Sequence, residues 1–96
     1  MNVIVRGTNV PVPSRLRSAA QRKLHRLERV AWDASRAEVD FSEERNPRIR
    51  ERHRCAVVVH RRRALLTAHA AAPDPEAALD RVVDKLRHQV DRRKDR

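Results

Sequence analysis

Cys55 and the five histidines are the residues of this 96-residue chain with the reactivity for nucleophilic, acid–base or metal chemistry. His53 and Cys55 stand two apart in an extended run, so both side chains face the same side. Two further ligands at usable spacing are missing, and a four-coordinate metal centre is not expected. His25, His60, His69 and His88 are scattered, and neither a glycine-rich phosphate loop nor a nucleophile motif is present. Cys55 reads as a small buried hydrophobe. The residues therefore point to no catalytic role, no metal and no cofactor.

The chemistry that the chain does carry is charge. Lys and Arg number 23 against 13 Asp and Glu, a formal net charge of +10. An excess of that size is a statement about partners, and the partner it suits is a polyanion, nucleic acid ahead of anionic membrane. In the terminal stretch RVVDKLRHQVDRRKDR, stepping roughly 100° per residue gathers Arg81, Lys85, His88, Arg92 and Arg96 into one sector. Asp80, Asp84, Asp91 and Asp95 fall in the neighbouring one. Upstream, Arg15, Arg22, Arg26 and Arg29 lie together beside an apolar stripe, with Glu28 on the far flank. Like charges at spacings of three and four repel one another. Two helices that tolerate this, side by side, are expected to present one continuous positive surface to an anion. The plainer alternative is a solvated face laced with weak intrahelical ion pairs.

Arg45, Arg48, Arg50, Arg52 and Arg54 form a third basic group. They suit a mobile hairpin tip that reaches for phosphates, or equally a guard against edge pairing of a sheet. For stacking single-stranded bases no aromatic platform is expected. Tyr is absent, Phe41 belongs to the core, and Trp32 is expected to cover the end of the core. Structured or helical RNA, read through its backbone, fits better.

These groups must be positioned by a small framework. At this length one core is expected, hence one domain over residues 1–96. Hydrophobic residues make up 40% of the chain with Phe41 and Trp32 as the aromatics, so the core must be built of Val, Leu and Ala. Residues 2–8 read as a β-branched strand closed by Gly7. Ser14 is the expected N-cap of a first helix over 15–31, whose stripe is Leu16, Ala20, Leu24, Leu27 and Ala31. Residues 36–44 alternate as a half-buried strand, and Asn46-Pro47 breaks it. A further strand is expected from Ile49 to His60, a turn at Arg61–Arg63, and a strand over 64–71. Asp74-Pro75 opens a second helix, from about 75 to the low nineties, with Leu79, Val82, Val83, Leu86 and Val90 as its stripe. The order β-α-β-β-β-α is an α+β arrangement and folds most simply as one four-stranded sheet with both helices on one face. Val58 is expected on the open face, where a protein-interaction role would lie.

One cysteine rules out an internal disulfide and suits a reducing cytosol. No apolar run approaches the roughly 20 residues of a membrane span, and no signal peptide is indicated. A cytoplasmic location with no membrane partner is expected.

The run NVIVRGTNVPVPSRLRSAAQRKLHRLERV, the loop ERNPRIRERHRC and the end EAALDRVVDKLRHQVDRRKDR together resemble the ribosome hibernation-promoting factor family, also called ribosome-associated inhibitor or protein Y. The match is closest to the N-terminal domain of actinobacterial long forms. It covers nearly the whole chain, and the K-L-x-R-L-E-R segment at 23–29 and the D-K-L at 84–86 are its most specific pieces. The resemblance implies a fold like the double-stranded-RNA-binding topology. It implies binding to the small ribosomal subunit and its 16S rRNA in the cleft between head and body, over the messenger and transfer RNA sites. Translation would thereby be inhibited in starvation or stationary phase. Carried over by position, the RNA-binding residues are Lys23, Arg26 and Arg29 with Lys85, His88 and Arg92; the helical projection adds Arg22. His88 stands where many members have Arg. Long forms continue into a C-terminal domain that pairs two copies, and this chain stops where the linker to it would begin, as a short form or an excised domain would. Homodimerisation is expected only through that absent domain. The alternative reading is a stand-alone double-stranded-RNA-binding module.

Overall fold

Period-two alternation decides the strands. In β2, Arg36–Glu43, and β3, His53–His60, alternate residues are buried: Ala37, Val39 and Phe41, then Cys55, Val57 and Val59. The computed structural model of the chain describes residues 1–94, with side chains through Asp91. Its other elements are β1, Asn2–Gly7; α1, Ser14–Leu27; β4, Leu65–Ala72; and α2, Pro75–Lys94. The four strands form one sheet in the order β1-β2-β3-β4, with β1 parallel to β2 and the other pairs antiparallel. Both helices cover the same face, as expected. Their stripes, with Leu16, Leu24 and Leu27 on one and Leu79, Val82 and Leu86 on the other, close a single core around Phe41. Val58 faces the opposite, open side.

Each expected boundary that moved has a local cause. β1 closes at Gly7, where the following loop returns so closely that a Cβ would lie 2.2 Å from the Val10 carbonyl oxygen. Ser14 is the first helical residue of α1 and not its cap; Pro13 takes the cap position, in extended conformation, with no side-chain hydrogen bond. The helix does not continue to residue 31. It ends at Leu27 in a tightened turn, with Glu28, Arg29 and Val30 donating to the carbonyls three residues back, a common way to close a helix. Ala31 is still buried, so the apolar spacing survives while the backbone changes. β3 begins at His53 and not Ile49. The Asn46 side chain accepts from the Arg48 N–H at 3.1 Å, an Asx turn that competes with strand pairing. The start of α2 is as expected, with the Ala77 N–H donating to Asp74 Oδ1 at 2.8 Å.

The sheet's two outer strands expose every second carbonyl, and each helix answers with a ladder of side chains. On α1, Arg17 donates to the Val5 carbonyl at 2.8 Å and Gln21 to Val3 at 2.9 Å, while His25 sets Nε2 3.1 Å from the Met1 oxygen. On α2, Arg81 donates to Ala71, Lys85 to His69 at 2.8 Å and Gln89 to Thr67 at 2.6 Å. The repeat works because four helical residues rise roughly 6.0 Å and two strand residues roughly 6.6 Å. Each helix number climbs as the strand number falls, so both helices run antiparallel to the strand they border. Since β1 and β4 point the same way, the helices are parallel and their C-terminal ends share one end of the molecule with the β3–β4 turn.

Two outcomes follow. Replacing Arg17 and Gln21 together by Ala, a better helix former, should lower the unfolding free energy by about 1–3 kcal/mol through the two lost edge bonds, read as a lower urea midpoint. An unchanged midpoint would show that the ladder contributes nothing. Burial pushes the Cys55 thiol up to about 12, so in the folded protein it should resist iodoacetamide at pH 8 and react once urea unfolds the chain.

Candidate nucleic-acid interface

The ladder fixes how each helix is rotated, and that rotation decides which charges meet solvent. With Arg17, Gln21 and His25 turned to β1, the outer crest of α1 carries Arg15, Arg22 and Arg26, all exposed. None of the three has an acidic partner among the described residues. Arg29 is also exposed, in the turn past the end of the helix.

Lys23 lies apart from this crest. Its side chain is 18% exposed and points into the seam between the helices, where Nζ pairs with Asp80 and, at 3.3 Å, with Glu76. A shallow cavity of about 170 Å³ along that seam is lined by Lys23, Arg26, Asp80, Val83, Asp84 and Arg87. Arg87 is a basic residue that helical projection does not single out. It stands one turn beyond Val83, on the flank of α2 that faces α1.

On α2, Arg81, Lys85 and His88 keep to one sector and Asp80 and Asp84 to the next, but Arg87 stands on the acidic side and breaks the expected sorting, and the sectors face different neighbours. Arg81, Lys85 and Gln89 turn toward β4, and Lys85 has one of its three donors committed to His69. Arg81 also meets Glu51 at 2.9 Å. His88 is exposed, with Nε2 4.0 Å from Asp84 Oδ1. Arg92 lies on the helix, and its side chain falls outside the described residues, as do Asp95 and Arg96. The acidic sector, with Asp80 and Asp84, therefore occupies the side nearest α1. This corrects the expectation of one continuous positive surface. The two basic flanks are separated by an acidic strip that Lys23 partly neutralises and that Arg26 and Arg87 border.

The basic loop between β2 and β3 is tied down at its base. Arg52 pairs with Glu43 at 3.4 Å and Arg54 with Glu44 at 3.1 Å, leaving Arg45, Arg48 and Arg50 exposed without acidic partners among the described residues. The edge-guard alternative finds no edge here, because β3 is paired on both sides.

At the end where the helices terminate, Trp32 is 73% exposed. It does not cover the core, contrary to the expectation. One aromatic ring is therefore open to solvent at this end. Asp33 explains the placement: its carboxylate accepts from Arg61 Nε at 2.7 Å, and from the Arg62 N–H at 3.3 Å, so the loop after α1 is clamped to the β3–β4 turn. That Arg61 bond, first among several causes, holds the Asp33 carboxyl below its usual range. Ala31 and Ala34 take the buried positions on either side, and the indole is turned outward.

The open sheet face carries no single sign. Glu38 accepts from His60 at 2.8 Å, which holds its carboxyl below the usual range, and the Thr8 hydroxyl donates to Asp40 at 2.8 Å. It therefore lacks the uniform positive field of a phosphate-binding surface.

Known proteins share this arrangement. The Sigma 54 modulation protein / S30EA ribosomal protein family matches residues 3–96. The chain is 33% identical over 95 residues to a ribosome hibernation promotion factor of Mycobacterium tuberculosis. That alignment covers 98% of this chain and 43% of the relative, so the chain spans less than half of the relative's length. A ribosomal subunit interface protein from Coxiella burnetii superposes with a TM-score of 0.85 at 21% identity, over the whole of both chains, a likeness of fold. The N-terminal domain of Protein Y from Thermus thermophilus superposes with a TM-score of 0.81 at 30% identity, over 96% of this chain and 98% of that one. With the match running from the first strand to the end of the second helix, the chain belongs to the Sigma 54 modulation protein / S30EA ribosomal protein family, whose members are ribosome-associated factors and not enzymes.

Proposed function

We propose that residues 1–96 act as one ribosome-binding unit that occupies the decoding region of the small subunit and inhibits translation by blocking the messenger and transfer RNA sites. The observation that carries the reading is the free arginine crest of α1 on a chain matched by this family along nearly its full length. Arg15, Arg22 and Arg26 repel one another in the isolated chain, and a wall of phosphate relieves that repulsion. Arginine suits the task because its planar fork takes two phosphate oxygens at once.

The other expected contacts take graded roles. Arg29 extends the crest beyond the helix end. Lys85 has two ammonium donors left for phosphate after its bond to His69. His88 continues the outer flank of α2, and Arg92, one turn further along the helix, is the last of the expected contacts. Lys23 acts inside the fold, cancelling Asp80 and Glu76 so that the seam does not repel the RNA. The mechanism is occlusion with no bond made or broken, in the cytoplasm, during starvation or stationary phase.

The reading is tested by co-sedimentation with purified small subunits. Arg22→Glu combined with Arg26→Glu should weaken binding at least tenfold while the circular dichroism spectrum stays unchanged, because both residues are exposed. Binding at wild-type strength would remove the crest from the interface. For the unmutated chain, a face making roughly six to ten phosphate contacts should lose about 10³–10⁵ in affinity between 50 and 200 mM salt. Salt-independent binding would contradict an interface built on phosphate.

A further inference from the structure

Trp32 is the only tryptophan in the chain and is more exposed than either other large apolar side chain at the surface, Ile4 or Leu65. An indole carries roughly 150–250 Å² of surface that a fold ordinarily buries. Here it is held out by construction. The neighbouring Asp33 takes Arg61 in a half-buried ion pair, 2.6 Å to the second guanidinium nitrogen, and the Arg61 N–H closes the β3–β4 turn on the Ala64 carbonyl at 2.9 Å. Two loops far apart in sequence are thereby locked together.

The lock brings Arg62 to the indole, its guanidinium carbon 6.0 Å from the ring centre. That is the outer limit of a cation–π attraction, so the cation stands over the ring at long range while the indole stays largely exposed. Arg63 is exposed next to it, with no acidic partner among the described residues. The nearby acids are already engaged, Asp33 by Arg61 and Glu28 by the amino terminus at 3.3 Å. An exposed aromatic plane flanked by uncompensated guanidinium groups matches one chemistry closely. A nucleotide offers a flat base to the ring and phosphates to the cations, and stacking tolerates any base.

We infer that Trp32, Arg62 and Arg63 form a binding site for an unpaired nucleotide of RNA, with the base stacked on the indole and the adjoining phosphates held by the two arginines. Asp33 and Arg61 are positioning residues that set the ring and the turn in register. The site is distinct from the helix crest, which takes phosphates without touching bases. The inference rests on the proposed ribosome reading only for the source of the nucleotide, an unpaired base of ribosomal RNA.

With one tryptophan and no tyrosine in the chain, the emission of Trp32 reports on the site directly. Hexaadenylate titrated into the full chain should quench that emission, whereas inorganic polyphosphate should leave it nearly unchanged. The Arg22→Glu, Arg26→Glu variant should still be quenched by hexaadenylate even though it no longer pellets with small subunits, which separates the two readings. By fluorescence anisotropy of labelled hexaadenylate, Trp32→Ala should bind at least about fivefold more weakly, and Arg62→Ala with Arg63→Ala should also bind more weakly. Equal quenching by polyphosphate would reduce the site to bare charge and overturn the inference. Absence of quenching by hexaadenylate would overturn it as well. So would an emission change that follows protein concentration without RNA, which would make the indole a contact between copies of the chain.

Discussion

The match between four residues of helix and two of strand governs this structure. It lets α1 and α2 each lay polar side chains at i, i+4 and i+8 along an outer strand, so that carbonyls which would otherwise invite another strand are occupied. Each bond contributes only about 0.5–1.5 kcal/mol. Their larger effect is geometric, because an apolar stripe alone lets a helix roll by tens of degrees on a sheet of small side chains. The ladders remove that freedom and so determine what each remaining residue faces.

The distribution of charge follows from this rotation. Once Arg81 and Lys85 are turned to β4, the aspartates one position away must face α1, and the fold spends Lys23 on them. The excess positive charge is thereby moved to places where nothing inside the molecule answers it. These are the crest of α1, the loop with Arg45, Arg48 and Arg50, and the end where both helices terminate. Cations at a helix C-terminus are favoured by its dipole, so the third location is stabilised by the same peptide groups that build the helices. The parallel run of α1 and α2, itself a result of β1 and β4 pointing the same way, places both C-terminal ends beside the β3–β4 turn and Trp32.

Much of this was legible in the sequence. The alternation in β2, the Asp74-Pro75 start of α2 and the stripes of both helices are local signals that tertiary packing reinforces, and they suffice for the order and layering of the elements. The sectors of α2 were legible too, since helical projection needs only the spacing. What the sequence could not supply was the neighbour of each sector. Lys85 looks identical in a projection whether it meets solvent or the His69 carbonyl. Lys23 sits in a run of basic residues and gives no sign that Asp80, far along the chain, will take it. The ladders themselves left a trace in the donor triplets Arg17, Gln21, His25 and Arg81, Lys85, Gln89, each bordering an apolar stripe. Trp32 departs from its expected place for a different reason. A lone indole after a helix normally buries itself, and only the pairing of Asp33 with Arg61, 28 residues apart, shows why this one does not.

The central claim is that the helical side of the molecule meets RNA while the mixed-charge open face of the sheet stays in solvent. A cryo-electron microscopy structure of the chain on the small ribosomal subunit tests it most directly. The account predicts Arg22 and Arg26 within hydrogen-bonding distance of ribosomal phosphates, with Val58 and Glu38 facing away from RNA. A complex in which the sheet face lies against the RNA and the α1 crest points to solvent would contradict it.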